Sequence, residues 1–192
     1  MLRRRVLVAS VVIAAAALLI GPGCSNNKVD PPRAAVDAEV SVGAHSATEC
    51  PDSTAGWFRL GSFVDDQSVE DGASFGQGTA GVDCLVTPQD NGFRVAAQAT
   101  LSGAAGGAFI VQGFFKQDPQ NQPNTGIHVS AARAGTAYVE DDCTAIFLDT
   151  DPLNQVVSGR IWATVTCPNA TVVDIQRTCQ TVTQFRFERC NQ

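Results

Sequence analysis

Apolar residues recur at every second position in short runs along this chain. The runs are rich in Val, Ile, Phe and Thr and are separated by clusters of Gly, Pro, Asn and Asp. A period of two marks a strand with one buried face. No stretch of helical length carries a 3.6-residue period with caps at both ends. The expected strands are Val36 to Val42, Trp57 to Val64, Val82 to Thr87, Phe93 to Leu101, Gly107 to Phe115, Gly126 to Ala131, Thr136 to Glu140, Thr144 to Leu148, Val156 to Cys167 and Cys179 to Cys190. About ten short strands with turn signals between them define an all-β chain. The expected architecture is an antiparallel β-sandwich or jelly roll, with a closed barrel as the alternative. The pattern does not order the strands.

Two hairpins can be put in register. Pairing Phe93 with Phe115, Val95 with Gly113, Ala97 with Val111 and Ala99 with Phe109 collects one apolar face. In the last hairpin, Cys167 set against Cys179 brings Val165 to Thr181, Ala163 to Thr183, Ile161 to Phe185 and Gly159 to Phe187. A one-residue slip would turn Phe185 and Phe187 into water. Directly opposed residues lie close enough for a disulfide, so this register predicts Cys167–Cys179. Elimination then gives Cys50–Cys84 and Cys143–Cys190.

The N-terminus sets the compartment. Arg3, Arg4 and Arg5 precede an apolar or small-residue run from Val6 to Ile20, which is too short for a membrane span. Basic n-region, short apolar h-region and small residues make residues 1–23 a secretory signal. The following Ile20-Gly21-Pro22-Gly23-Cys24 resembles the lipobox of bacterial lipoproteins. The resemblance implies cleavage before Cys24, acylation of that residue, and a membrane-anchored exported protein. Gly21 and Gly23 also satisfy an ordinary small-x-small cleavage site, which would leave a soluble secreted chain. Residues 24–35, with Pro31 and Pro32, read as a tether, and 36–192 as one domain.

Cysteine count agrees with export. Of seven cysteines, Cys24 goes to lipid and an even six remain, which in an exported chain read as disulfides. No Cys-x-x-Cys pair supports zinc. Three of the thirteen basic residues precede Cys24 and all nineteen acidic residues follow it; ten cations against nineteen carboxylates leave the mature chain at −9. That charge argues against nucleic acid.

Chemistry-bearing motifs are sparse. Ser74, in Gly72-Ala73-Ser74-Phe75-Gly76, matches a nucleophile elbow, but the glycine-rich residues after it do not read as the helix that motif needs. Gly76-Gln77-Gly78-Thr79-Ala80-Gly81 matches a dinucleotide fingerprint and likewise lacks its helix. His45 and His128 read as surface residues. Glu140, Asp141 and Asp142, with Asp149 and Asp151 across a short strand, could offer oxygen ligands to calcium; no other cofactor is implied. Trp162 and Phe114 fall on the more polar faces of their hairpins and could stack on sugar rings. The leading expectation is a non-enzymatic lipoprotein that binds another envelope component or serves structurally. The alternatives are a carbohydrate-binding or calcium-stabilised module and, third, a serine hydrolase at Ser74.

Overall fold

The computed structural model describes residues 29–104, 106–116, 124–147, 155–172 and 175–191. Cys24, the signal segment, Asp149 and Asp151 therefore lie outside the described residues. Among the described residues twelve strands form, in chain order: β1 (Arg33–Ser41), β2 (Thr54–Leu60), β3 (Val69–Glu70), β4 (Ser74–Phe75), β5 (Gly78–Gln89), β6 (Gly92–Leu101), β7 (Gly107–Lys116), β8 (Asn124–Arg133), β9 (Thr136–Ile146), β10 (Val156–Val157), β11 (Arg160–Val172) and β12 (Arg177–Glu188). The expected all-β, antiparallel, disulfide-bonded architecture is found. Its strands run in one continuous sheet, ordered β2-β1-β12-β11-β9-β8-β7-β6-β5-β4. Strand β1 begins at Arg33, so Arg33, Ala34 and Ala35, expected in the tether, belong to the sheet.

The sheet curls until its ends nearly meet. β3 pairs with β1, and after a short turn β4 pairs with β5, bridging the two sides of the seam. The remaining edge of β5 is covered piecemeal. Gly72 N donates to Ala80 O at 2.9 Å, and the Asp71 carboxylate accepts from Val82 N at 2.8 Å. Further along, the Asn191 side-chain amide stands in for a strand, accepting from Val86 N and donating to Val86 O. Covering a strand edge this way satisfies backbone groups that would otherwise template aggregation.

Ring size and neighbour size alternate inside. Phe109 sits between Ala99 and Ala131, Phe185 between Val36 and Ala163, and Phe187 between Ala34 and Ile161. An alanine on at least one side of each ring leaves it the room a tight barrel interior requires. Phe185 lies 5.4 Å from Phe109 and 6.2 Å from Phe187, ring centre to ring centre. The interior is thus a packed core. Thr183 is fully buried in it, with no hydrogen-bond partner for its hydroxyl. Thr183→Val keeps the shape and removes the orphaned group; a gain of about 1 kcal/mol is expected from the urea midpoint.

The β6–β7 register is the one expected, Phe93 to Phe115 through Ala99 to Phe109. The last hairpin is corrected. Ile161 faces Phe187 and Ala163 faces Phe185, two residues away from the expected register. Gly159 (φ 76°) turns the chain, so Val156 and Val157 fold back on β11 as β10 rather than extending it, and Phe187 does not cover the glycine. A bulge at Pro168 and Asn169 then sets Cys179 against Ala170. All three expected disulfides are consequently replaced: the bonds are Cys143–Cys167, Cys50–Cys179 and Cys84–Cys190. Continuing the pairing of Thr144 with Thr166 by one residue puts Cys143 directly opposite Cys167, with Cα atoms 4.4 Å apart. The principle of opposed cysteines holds; the opposing strand is β9, which sequence alone does not place beside β11.

Candidate functional site

Hollows lined by polar side chains lie on the outer surface of the sheet. Among the described residues, one polar surface lies across β2, β1, β12 and β11. Arg59 pairs with Asp37, Asp37 with Gln184, and Gln184 with Thr164. These four side chains form one straight row perpendicular to the strands, on the face turned away from the core. Two residues along, Glu39, Val182, Thr166 and Thr144 make a parallel row. Arg59 Nε donates to Asp37 Oδ1 at 2.9 Å, with both side chains open to solvent. Gly56 (φ 66°) turns the chain beside the pair in a left-handed conformation that favours glycine, and Arg59 Nε lies 2.7 Å from where its Cβ would be. Two adjoining hollows of ≈ 250 and ≈ 340 Å³ share Asp37, Arg59 and Gln184.

One wall of this groove is the loop between β2 and β3. Its ends are tied by Ser62 and Gln67, whose backbones exchange hydrogen bonds at 2.9 and 2.8 Å. Phe63 and Val64 line the groove, and Val64 is almost fully exposed. The loop also roofs the next row of the sheet, Ala35, Arg186 and Trp162. The Phe63 ring lies 5.9 Å from the Trp162 ring, and the Arg186 guanidinium lies 4.9 Å over that ring from the side of β12. Arg186 donates to Asp66 and to Ser68 Oγ, anchoring the loop from below. The hydrogen bond from Arg186, and then its charge, lowers the Asp66 carboxyl from its ordinary value. Trp162 is therefore buried, not the open stacking platform expected from its place on the polar face. A loop rather than a second sheet covers it, which strand alternation cannot reveal. Phe114, on β7, is half-buried, and its ring lies over Gly92, where a Cβ would come within 2.7 Å. It serves as cover for a glycine in the neighbouring strand.

The acidic run does not converge. The Glu140 carboxylate accepts from Asn169 N at 2.8 Å, Asp141 meets His128 Nδ1 at 2.5 Å, and Asp142 accepts from Gly126 N at 3.2 Å. Successive strand residues face opposite ways, and a bulge opposite Ile127 and His128 separates them further. Among the described residues one group gathers metal-ligating side chains, Glu140 with Cys143 and Cys167. The two sulfurs are bonded to each other, so the carboxylate alone is left to bind. Burial, ahead of the nearby Asp142 charge, pushes the Glu140 carboxyl up.

Ser74 lies on β4, exposed, in a two-residue hairpin whose turn is Gly76-Gln77 and whose second arm is β5. A strand stands where the elbow needs a helix, and the same strand occupies the dinucleotide-like glycines. The groove holding Ser74 is lined by Arg33, Asp66, Ser68, Glu70 and Phe75 but by neither histidine. His45 and His128 are engaged elsewhere, His45 Nε2 with Pro168 O at 2.8 Å.

A polar cluster at one end fixes the loop after β1. Tyr138 OH donates to Asp52 Oδ2 at 2.8 Å, and Arg177 Nη1 donates to the same oxygen at 2.7 Å. Burial, then the hydrogen bond to Asp52 and its charge, raises the Tyr138 phenol well above its ordinary value. The unfolded chain loses that proton near pH 10 and the folded chain only above it. Stability is thus full below pH 10 and falls as pH rises past it. Tyr138→Phe should abolish this alkaline loss and cost about 1 kcal/mol at neutral pH. Urea melts at about pH 8 and pH 10.5, with ultraviolet absorbance following this one tyrosine of the chain, read both effects.

Fold and surface together define a disulfide-bonded, nearly closed β-sheet domain with a solid interior and an external polar groove. No protein-family model, curated protein or solved structure matches the chain. Three internal disulfides are consistent with an exported, non-cytoplasmic protein.

Proposed function

We propose that the chain is a non-catalytic exported protein, held at the cell envelope by acylated Cys24, whose β domain acts by binding. The observation that carries this reading is the cysteine balance. All six cysteines after Cys24 pair with one another, so Cys24 has no intrachain sulfur to bond. It stands in the position a lipid-modified cysteine takes after an export signal. More than one acyl chain is needed for stable anchoring, and the chain's negative charge opposes direct adsorption to anionic lipid. The binding role is supported by a tightly packed core and an outer groove lined by polar side chains. Neither histidine reaches Ser74, and the carboxylates of Glu140, Asp141 and Asp142 go to separate partners.

Intact mass of the protein extracted from its cells, before and after reduction and thiol alkylation, tests the reading. The expected mass begins at Cys24 with acyl chains added, and six thiols appear only on reduction. A mass without lipid overturns the anchor and makes the protein soluble and secreted.

A further inference from the structure

We infer that the groove over Arg59, Asp37, Gln184 and Thr164 binds a neutral, hydroxyl-rich polysaccharide strand lying across the strands of the sheet. This deepens the binding half of the proposed function and does not depend on the lipid anchor. Three observations lead there. The first is spacing. The row takes one side chain from each of four neighbouring strands, and such strands lie about 4.8 Å apart, close to the length of one pyranose ring along a chain. The second is chemistry. Guanidinium, carboxylate, carboxamide and hydroxyl groups in sequence offer donors and acceptors to sugar hydroxyls, which are themselves both. Arg59 and Asp37 are joined at 2.9 Å on the open surface, so both groups lie within reach of a ligand. The third is the wall. Phe63 flanks the groove, backed by Trp162 and the buried Arg186, and presents an apolar surface to the C–H face of a sugar.

The same features disfavour other occupants. Glu39 adds a second carboxylate beside Asp37 against the single Arg59, which repels phosphates, nucleotides and acidic polymers. A peptide bound as an added strand needs free backbone N–H and C=O groups. Across this floor the β1 and β12 backbones are paired on both sides.

The test is calorimetric titration of the full oxidised protein with the β-1,4-linked N-acetylglucosamine hexamer, with maltohexaose and polyglutamate as comparison probes. Saturable binding of a neutral hexamer is expected, with polyglutamate inert. Gln184→Ala and Phe63→Ala should each weaken it about tenfold, the effect of removing one hydrogen bond or one ring from a binding surface. Unchanged melting of Gln184→Ala would show that the weakening is not unfolding. Gln112→Ala, at an exposed position of β7 four strands away from β12, should bind as the parent does. Absence of binding by both neutral hexamers, binding unaffected by Gln184→Ala and Phe63→Ala, or preference for polyglutamate overturns the inference. A lipidated protein that fails here loses the groove assignment alone; an unlipidated one that binds loses the anchor alone.

Discussion

Replacing Cys84 and Cys190 together by alanine should remove roughly 5 kcal/mol of stability, more than the loop closed by Cys143–Cys167 can contribute. The bond closes 106 residues of chain, and in the chain-entropy model a loop of that length restricts the unfolded state by about 5 kcal/mol. It also sits where the curled sheet is least continuous. Cys190 precedes Asn191, whose amide caps Val86, and Asn191 N donates to Cys84 O at 3.2 Å. Cutting the bond therefore frees the residue that covers the β5 edge. The matching Cys143 and Cys167 double variant opens a loop of only 24 residues and joins strands already in register; roughly 3.5 kcal/mol is expected there. Urea midpoints of the two variants decide the order. Equal losses would mean that loop length does not set what these two bonds contribute.

Phe185→Ala is the second large effect, a loss of about 3–5 kcal/mol. The ring is fully buried and touches rings across the core and along its own strand, 5.4 Å from Phe109, 6.5 Å from Phe115 and 6.2 Å from Phe187. Its lateral neighbours Val36 and Ala163 are small and cannot swing in to fill the hole. A collapse-resistant cavity gives the upper part of the range. Phe185→Leu should cost clearly less, because most of the volume stays. If both variants melt together, the ring's shape rather than its volume is what the core reads.

Alternation is legible wherever a single hairpin decides the outcome. β6 and β7 are joined by a short connection, and one face of each is apolar, so Phe93 to Phe115 follows directly. The final hairpin shows the limit of the same logic. A period of two distinguishes a register from its one-residue slip but not from a two-residue slip, which keeps every side chain on its face. The shift found is of that kind. Phe185 and Phe187 are buried as expected, while their partners, and with them every disulfide, change. The acidic run has a similar effect. Glu140, Asp141 and Asp142 interrupt the apolar pattern and so predict two strands, Thr136 to Glu140 and Thr144 to Leu148. In the fold β9 runs through them, with the acidic residues meeting Asn169, His128 and Gly126 at the bulges.

The candidate site is less legible still. Gln184 and Thr164 are visible as outward residues of the last hairpin, but Asp37 and Arg59 lie more than a hundred residues away in the chain. Strand order alone puts the four in one row. Alternation turns Trp162 away from the core, yet a loop folded over it, held by Asp66 and Arg186, removes it from solvent.

Neighbouring residues are enough to choose strand over helix, to turn one face of each strand inward, and to leave an even set of cysteines after Cys24. Each of these depends on positions a few residues apart, where periodicity acts directly. Strand order, disulfide partners, the closing of the seam by Asn191 and the roof over Trp162 have no such local cause. Those contacts join residues distant in the chain, and their free energy exists only once the sheet has curled and its core has packed.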